Sequence, residues 1–209
     1  MSFTAKPDFP RLVFFLKLHI SFINFKLRHI CVFSILKSME LNKNLVLIGM
    51  MASGKSTIGR LLAKKLNFKF FDIDLEIENK TKTKISEIFK MKGEIFFRNI
   101  EEEITLKLLN KNRCVISLGG GGFLNEIIRK EAQKNAITVW LNWDSKTLIE
   151  RLRKNRKKRP IALNLDDNKI KDLITNRSII YSKSKYKINC EDMTQLEIIK
   201  KIVEIYEGI

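Results

Sequence analysis

The chain has 209 residues, of which 44% are hydrophobic and 30% are charged, a composition that excludes an intrinsically disordered protein. Its formal net charge is +17, yet the lysines are scattered over helix faces and no aromatic-interleaved basic motif occurs. We therefore expect no nucleic-acid partner, although a basic surface would attract a phosphorylated ligand. Cys31, Cys114 and Cys190 follow no metal or disulfide spacing, which favours a reducing cytoplasm.

Residues 1–38 differ in composition from the rest of the chain, so we predict an N-terminal extension followed by one domain at 39–209. The extension holds seven of the fourteen Phe, both histidines and a single acidic residue, Asp8. Basic residues interrupt its apolar stretch before it reaches the roughly 18–20 residues of a membrane span, so we expect no membrane partner. Met39 directly precedes the first predicted strand, and we interpret the extension as the product of an upstream start codon. A targeting or anchoring segment is the alternative.

The first element in chain order is a continuous apolar run, NLVLIGM at 44–50, which predicts a buried parallel strand. It leads into GMMASGKST at 49–57, which matches the phosphate-loop pattern G-x-x-x-x-G-K-[ST], and then into the helical pattern IGRLLAKKLN. In this motif the backbone N–H groups and the helix N-terminus face the phosphates of a nucleotide. We therefore predict that Lys55 reaches the β- and γ-phosphates and that the Ser56 hydroxyl ligates Mg²⁺.

Two aspartates end the second apolar run, FKFFDID at 68–74. Asp72 and Asp74 are two residues apart, so both would point the same way at the carboxyl end of a strand, where parallel sheets bind ligands. The later strand CVISLG at 114–119 lacks an Asp for Mg²⁺, so we predict that Asp72 takes this place. Asp74 would hold or deprotonate an acceptor hydroxyl. The alternative is a pair of capping aspartates before a helix at 75–80.

A long helical pattern at 93–111 carries Arg98 three and four residues before Glu101 and Glu102. A carboxylate at that spacing orients the guanidinium, which predicts a fork for a substrate carboxylate; a surface ion pair is the alternative. The run SLGGGGFL at 117–124 then places four of the nine glycines together. Because glycine costs backbone entropy in a folded region, we predict a loop whose bare amides are approached closely by a ligand.

The last candidates lie in a basic run and in a helical pattern. RLRKNRKKRP at 151–160 lacks apolar periodicity and predicts a mobile lid whose Arg159 closes over the phosphates, with a solvated basic loop as the alternative. Arg177, in a helical pattern at 168–184, is a second candidate clamp for a carboxylate, or otherwise a surface residue.

Strand and helix patterns alternate, which predicts one α/β domain. Its strands are expected near 44–49, 69–73, 114–118, 136–142 and 186–190.

Together these stretches resemble the shikimate kinase family. GMMASGKSTIGRLLAKKL, FFDIDLEIE, ISEIFKMKGEIFFRNIEE, VISLGGGG, KKRP and NRSIIY occur in the order and at the spacing of that family, over about residues 43–207. The resemblance implies a P-loop NTPase fold of the nucleoside-monophosphate-kinase type, with a five-stranded parallel sheet sandwiched by helices and a mobile lid. It also implies ATP-dependent phosphorylation of the 3-hydroxyl of shikimate, a step toward chorismate and the aromatic amino acids, with Mg²⁺.

The same resemblance implies the roles of individual residues. The catalytic groups would be Lys55, Asp74 and Arg159. The nucleotide would be held by Ala52, Ser53, Gly54, Lys55, Ser56, Thr57, Arg151 and Arg159. Shikimate would contact Asp74, Arg98, Gly119, Gly120, Gly121 and Arg177, with the two arginines on its carboxylate. Ser56, together with Asp72 through water, would hold Mg²⁺.

Several positions depart from the family pattern. Ala52 and Lys82 stand where the family commonly has glycine, and Gly122 is an extra glycine. The arginine that stacks on adenine stays open between Arg151 and Arg153. None of these departures touches the acceptor residues.

Two other functions compete with this interpretation. Another small-molecule kinase on the same scaffold, such as a gluconate or nucleotide kinase, would need a different acceptor pocket; the arginine pair and the glycine run favour shikimate. A nucleotide- or nucleic-acid-binding module without catalysis is suggested by the charge, and salt-dependent nucleic-acid binding without turnover would favour it. We expect a monomeric enzyme.

Overall fold

Five parallel strands form one sheet, in the order β2-β3-β1-β4-β5, in the computed structural model, which describes residues 42–154 and 166–208. All five predicted strands are present, and each begins and ends within about one residue of its predicted bounds. They are β1 (Asn44–Ile48), β2 (Lys69–Asp72), β3 (Cys114–Ser117), β4 (Ala136–Asn142) and β5 (Tyr186–Asn189).

Helices flank the sheet. In the described part of the chain they are α1 (Lys55–Leu66), α2 (Ile73–Thr81), α3 (Ile85–Leu109), α4 (Glu126–Asn135), α5 (Ser145–Lys154), α6 (Asp167–Tyr181) and α7 (Gln195–Glu207), with a 3₁₀ turn at Gly122–Leu124. The long helix begins earlier than predicted, but Gly93, at φ 79° and ψ 176°, breaks it where the predicted helix starts. Among these described helices, none is long and apolar enough to cross a membrane.

The sheet is covered on both faces, as the continuous apolar run of β1 predicted. Leu47 faces α1, where a Cβ on Gly59 would lie 3.3 Å from Leu47 and 2.4 Å from Phe70. The absence of that side chain therefore lets α1 lie close to the sheet. Because side chains alternate along a strand, Val46 and Ile48 point the other way, into the core beneath α2, α3 and α4.

The strand order reverses at β1. Leu45 of β1 pairs with Val115 of β3 on one side and with Ile137 of β4 on the other. The chain leaves β1 for the β2 edge, returns through β3 and then crosses to the far side at β4. Ligands bind at such a reversal, outside the carboxyl ends of the strands. In this fold the loop that follows β1 occupies that position.

The two cysteines that the structure describes are buried core residues, as expected from their strand-like surroundings. Burial raises the pKa of the Cys190 thiol to about 12 and also raises the pKa of Cys114. Both thiols are therefore protonated and unreactive near neutral pH. Cys31, the extension at 1–38 and the predicted domain boundary at Met39 lie outside the described residues.

Lys82, where the resemblance expects glycine, ends α2 in the left-handed conformation, at φ 53° and ψ 26°. That conformation costs a residue with a Cβ roughly 1–2 kcal/mol, while glycine gives back about 0.4–1 kcal/mol through the entropy of the unfolded chain. We therefore expect Lys82→Gly to raise the free energy of unfolding by roughly 0.5–1 kcal/mol, measured by urea denaturation. Lys107→Gly is the control, because Lys107 is exposed in the last turn of α3, and it should lower the same quantity. Equal losses in both variants would contradict the strain at Lys82.

Candidate active site

The loop between β1 and α1 turns through three residues with positive φ. Gly49, Ala52 and Gly54 have φ values of 148°, 67° and 89°. Ala52 thus adopts a conformation that glycine takes without strain, and it stands where the family commonly has glycine. Gly54 caps α1, and no acidic residue lies in the first turn of that helix. The first-turn N–H groups and the positive end of the helix dipole therefore suit an anion such as phosphate.

Lys55 is buried at the start of α1 although it carries a charge. Its Nζ donates hydrogen bonds to the carbonyl oxygens of Gly49 and Met50, at 2.8 and 2.9 Å. These bonds hold the ammonium against the loop, because a buried charge is costly without hydrogen-bond partners. Phosphate oxygens at the same loop would be stronger acceptors for this ammonium than neutral carbonyls are.

Ser56 and Asp72 meet at the carboxyl end of β2, where the Ser56 hydroxyl donates a hydrogen bond to Asp72 Oδ2. Hydroxyl and carboxylate oxygens are hard donors of the kind that Mg²⁺ prefers, so the predicted pair fits this metal. Asp72 also caps α2, because its Oδ1 accepts a hydrogen bond from the backbone N–H of Asp74 at 3.2 Å. Asp72 thus contacts Ser56 through one carboxylate oxygen and caps α2 through the other.

Asp74 lies in the first turn of α2 and not on the strand. The expectation that strand alternation aligns the two carboxylates was wrong, because the capping bond of Asp72 starts a helix at Ile73. The carboxylate nevertheless lies at the ligand edge of the sheet: its Oδ1 would be 2.9 Å from a Cβ on Gly119, the second residue after β3.

Arg98 on α3 is held between two glutamates. Its Nη1 donates to Glu101 Oε2 at 2.6 Å, and its Nε and Nη2 donate to Glu94 Oε1 at 3.1 and 3.0 Å. The predicted contact with Glu101 is confirmed, whereas Glu102 accepts a hydrogen bond from Asn125 instead. Two carboxylates therefore fix the orientation of the guanidinium.

The glycine run at 119–122 brings the predicted acceptor residues together. None of its glycines has a positive φ, so conformational freedom does not explain the run. A Cβ on Gly119 would lie 2.7 Å from Glu101 Oε1, and a Cβ on Gly121 would lie 2.6 Å from Arg98 Nη1. The glycines therefore leave space for the side chains of Glu101 and Arg98. The prediction of close ligand approach did not include this reason.

Arg177 and Tyr181 reach the same loop from α6. A Cβ on Gly120 would lie 3.2 Å from Arg177 Nη1, and the Tyr181 hydroxyl donates a hydrogen bond to the Gly120 carbonyl oxygen. Burial raises the pKa of Tyr181 to about 12, so the hydroxyl keeps its proton near neutral pH. Tyr181 is not among the predicted site residues. Its place four residues after Arg177, on the same helix face, was a signal that could have identified it.

Two buried atoms at this site, Glu101 Oε1 and Arg177 Nε, have no hydrogen-bond partner within the described ranges. Burial raises the pKa of Glu101, and the neighbouring Arg98 offsets this only in part. Buried polar atoms in native proteins nearly always have partners. Glu101 Oε1 and Arg177 Nε are thus exceptions to this rule, and both side chains lie beside the glycine run.

The arginines of α5 occupy different surroundings. Arg151 stacks on Trp143, with its Cζ 3.7 Å from the ring centre, while Arg153 donates to the Asp167 carboxylate of α6. Trp143 in turn donates a hydrogen bond to the phosphate loop, so the indole links Arg151 to that loop. The predicted lid with its Arg159 lies outside the described residues.

A phosphate loop at the sheet reversal, together with a carboxylate and two arginines at the glycine run, is typical of a P-loop kinase that acts on a small anionic molecule. The family model described as "Shikimate kinase" matches residues 51–207. The chain belongs to the shikimate kinase family. Enzymes of this family transfer a phosphoryl group from ATP to shikimate and use Mg²⁺, so the chain is a small-molecule kinase.

Individual relatives agree with this assignment. The chain is 40% identical over 161 residues to a shikimate kinase of Sulfurihydrogenibium sp. (strain YO3AOP1), which covers 77% of this chain and 96% of the relative. The solved structure of shikimate kinase from Acinetobacter baumannii in complex with shikimate matches at a TM-score of 0.75 and 30% identity, covering 82% of this chain and 97% of that one. A deoxyadenosine kinase from M. mycoides with bound dATP, at 18% identity and a TM-score of 0.53 over 77% of this chain and 99% of that one, shares the fold alone. The predicted fold of the nucleoside-monophosphate-kinase type is confirmed.

Proposed function

We propose that this kinase phosphorylates the 3-hydroxyl of shikimate with ATP, with the predicted site residues in their predicted roles. The observation that carries the proposal is the meeting of Asp74, Arg98 and Arg177 at the glycine run. Shikimate has one carboxylate and several ring hydroxyls. Two guanidiniums suit the carboxylate, and one aspartate suits a reacting hydroxyl.

On the acceptor side, the planar guanidiniums of Arg98 and Arg177 bind the shikimate carboxylate and fix the orientation of the ring. Asp74 accepts a hydrogen bond from the 3-hydroxyl and takes its proton as the hydroxyl oxygen attacks the γ-phosphorus. Gly119, Gly120 and Gly121 border the ring without side chains, which at Gly119 would displace Asp74 and at the other two positions an arginine. Most of the rate enhancement then comes from positioning.

On the donor side, residues 52–57 hold the ATP phosphates through their backbone N–H groups and the N-terminus of α1. Lys55 exchanges its loop carbonyls for β- and γ-phosphate oxygens and offsets the charge that develops during transfer. Arg151 packs against the adenine ring. The resemblance assigns Arg159 to the phosphates as the lid arginine.

Ser56 and Asp72 would hold Mg²⁺. The contact between their oxygens supports this assignment, because it places a hydroxyl and a carboxylate together beside the phosphate loop. When bound, Mg²⁺ neutralises charge on the β- and γ-phosphate oxygens. Asp72 keeps a second task in the fold, as the cap of α2.

The test is ADP release by the full chain with ATP and Mg²⁺, with and without shikimate. We expect turnover to depend strongly on shikimate. The methyl ester of shikimate is the matched control, because it keeps the hydroxyls and loses the charge that Arg98 and Arg177 would bind; we expect its KM to rise at least about tenfold. A folded protein that binds ATP but releases ADP at the same rate without shikimate would sink the proposal.

We also propose that the enzyme is a cytoplasmic monomer without a nucleic-acid or membrane partner, and that residues 1–38 are dispensable. Asp74, Arg98 and Arg177 of one chain reach the glycine run within the described residues, which supports a site formed by that chain. The mass in solution should equal that of one chain by light scattering. The chain that begins at Met39 should match the full chain in kcat; a large loss would assign a role to the extension.

Gly121→Ala is expected to raise the KM for shikimate by roughly 10- to 100-fold with a smaller effect on the KM for ATP. The new Cβ would lie 2.6–2.9 Å from the guanidinium of Arg98, so that group must move. It is the far end of a flexible side chain, and the fold should therefore survive. Gly122→Ala is the control in the same loop, since its nearest contact is 3.3 Å, to Glu101. Equal effects of the two substitutions would contradict the displacement of Arg98.

A further inference from the structure

Trp143 is the first residue after β4, and its indole reaches the phosphate loop. The indole N–H donates a hydrogen bond to the carbonyl oxygen of Ser53 at 3.0 Å. Ser53 is 2% exposed and immediately precedes Gly54, the cap of α1. The bond therefore joins the end of one central strand to the loop that follows its neighbour, at the point where that loop enters the helix.

The face of the same indole contacts the nucleotide-side arginine. Arg151 lies with its Cζ 3.7 Å from the centre of the Trp143 ring, which is close enough for a cation–π stack. A guanidinium stacked in this way loses its freedom to tilt, because the two flat groups lie against each other. The orientation of Arg151 thus depends on the indole face, while the position of Ser53 depends on the indole edge.

We propose that Trp143 is a positioning residue of the nucleotide site, which holds the phosphate loop through its N–H and the adenine-side Arg151 through its ring. This inference rests on the proposed use of ATP. It adds a residue that is part of neither the phosphate-loop motif nor the acceptor pocket. One rigid side chain thereby sets the spacing between the phosphate end and the base end of the nucleotide.

An apolar cluster also connects the phosphate loop with α5 and α6, but apolar contacts have no preferred direction. Met51 and Ala52 of the loop pack against Ile149, Leu152 and Ile170 of α5 and α6. Packing of this kind brings the helices to the loop, but it does not fix the rotation of a loop carbonyl or the tilt of a guanidinium. A directional hydrogen bond and a flat stack supply that precision.

Two variants separate the two contacts of Trp143. Trp143→Phe keeps a ring face for Arg151 and removes the donor to Ser53, whereas Trp143→Leu removes both. We expect the Kd for ADP, measured by calorimetry, and the KM for ATP to rise about 3- to 10-fold in the Phe variant and further in the Leu variant. The KM for shikimate should stay within about twofold in both. This split is a readout that a general loss of stability would not produce.

Trp140→Phe is the matched control, because Trp140 lies three residues earlier on β4 and packs against Tyr181 in the core. It should leave the Kd for ADP unchanged. The chain has two tryptophans, so this variant makes Trp143 the sole indole. Its fluorescence should then change saturably as ADP is added, which tests the contact without altering Trp143.

A graded loss of nucleotide binding together with an ADP-sensitive emission would establish the role. Unchanged ADP binding in both Trp143 variants, or equal increases in the KM for ATP and shikimate, would overturn it. The proposed function is tested separately by the shikimate dependence of the unaltered chain. If that dependence is absent while the Trp143 variants still lose ADP affinity, the proposed function fails and the role of Trp143 stands.

Discussion

Lys55→Ala is expected to lower kcat by about 10³-fold, one of the two largest effects expected in the site. The ammonium is buried within the phosphate loop, so its charge acts on the transferred phosphoryl group in surroundings that screen it poorly. Its present hydrogen bonds to the carbonyls of Gly49 and Met50 hold it within reach of that group. Alanine removes this charge, and a water molecule in the vacated space would be neutral and less firmly held. The measurement is single-turnover phosphoryl transfer at saturating ATP and shikimate.

The control for this substitution lies on the same helix. Lys64 is exposed in the last turn of α1, and Lys64→Ala should leave kcat within about twofold, as is usual for surface changes. A thermal melt of the Lys55 variant distinguishes loss of chemistry from loss of the loop. Retention of more than a tenth of the kcat in a folded Lys55→Ala protein would remove Lys55 from the catalytic group.

Asp74→Asn is expected to lower kcat by roughly 10²- to 10⁴-fold, the range for a lost general base. The amide keeps the size of the carboxylate and can still accept one hydrogen bond, but it cannot take the proton of the 3-hydroxyl. The fold should survive, because the bond that caps α2 uses the backbone N–H of Asp74 and the side chain of Asp72. The KM for ATP should change little, since the phosphate loop is not altered.

Asp172→Asn is the matched control for Asp74. It makes the same chemical change on the exposed surface of α6, and kcat should be unaffected. The informative comparison is kcat against the Kd for shikimate, measured by equilibrium binding in the presence of ADP. A variant at position 74 that loses shikimate affinity but keeps kcat would make Asp74 a binding residue only.

At a few positions the observed backbone conformation differs from what the local sequence predicts. Ala52 and Lys82 stand where glycine is expected, and both adopt positive φ. The backbone therefore has the conformation that suits glycine, and the Cβ atoms of these residues make it strained. Asp72 ends β2 and also caps α2. The cap starts a helix at Ile73, because the Asp72 side chain satisfies an N–H group that a helix start leaves unpaired. The strand-based alignment of Asp74 failed for this reason.

The sequence by itself determined the features that depend on neighbours along the chain. The spacing of Gly54, Lys55 and Ser56 after an apolar strand defined the phosphate loop, and the periodicity of apolar residues defined the strands and helices. The three-residue separation of Arg98 and Glu101 set their pairing, because helix geometry places such residues on one face. These interactions need only the local backbone conformation, which residue order specifies.

Only the tertiary structure decided which distant groups meet. The insertion of β3 between β1 and β2 brings the glycine run to Asp74 and Arg98, and the packing of α6 brings Arg177 and Tyr181 to the same loop. The contact of Trp143 with Ser53 depends in the same way on β4 lying beside β1. Strand order follows from the burial of all elements against one another, which is a property of the whole core and not of any stretch of sequence.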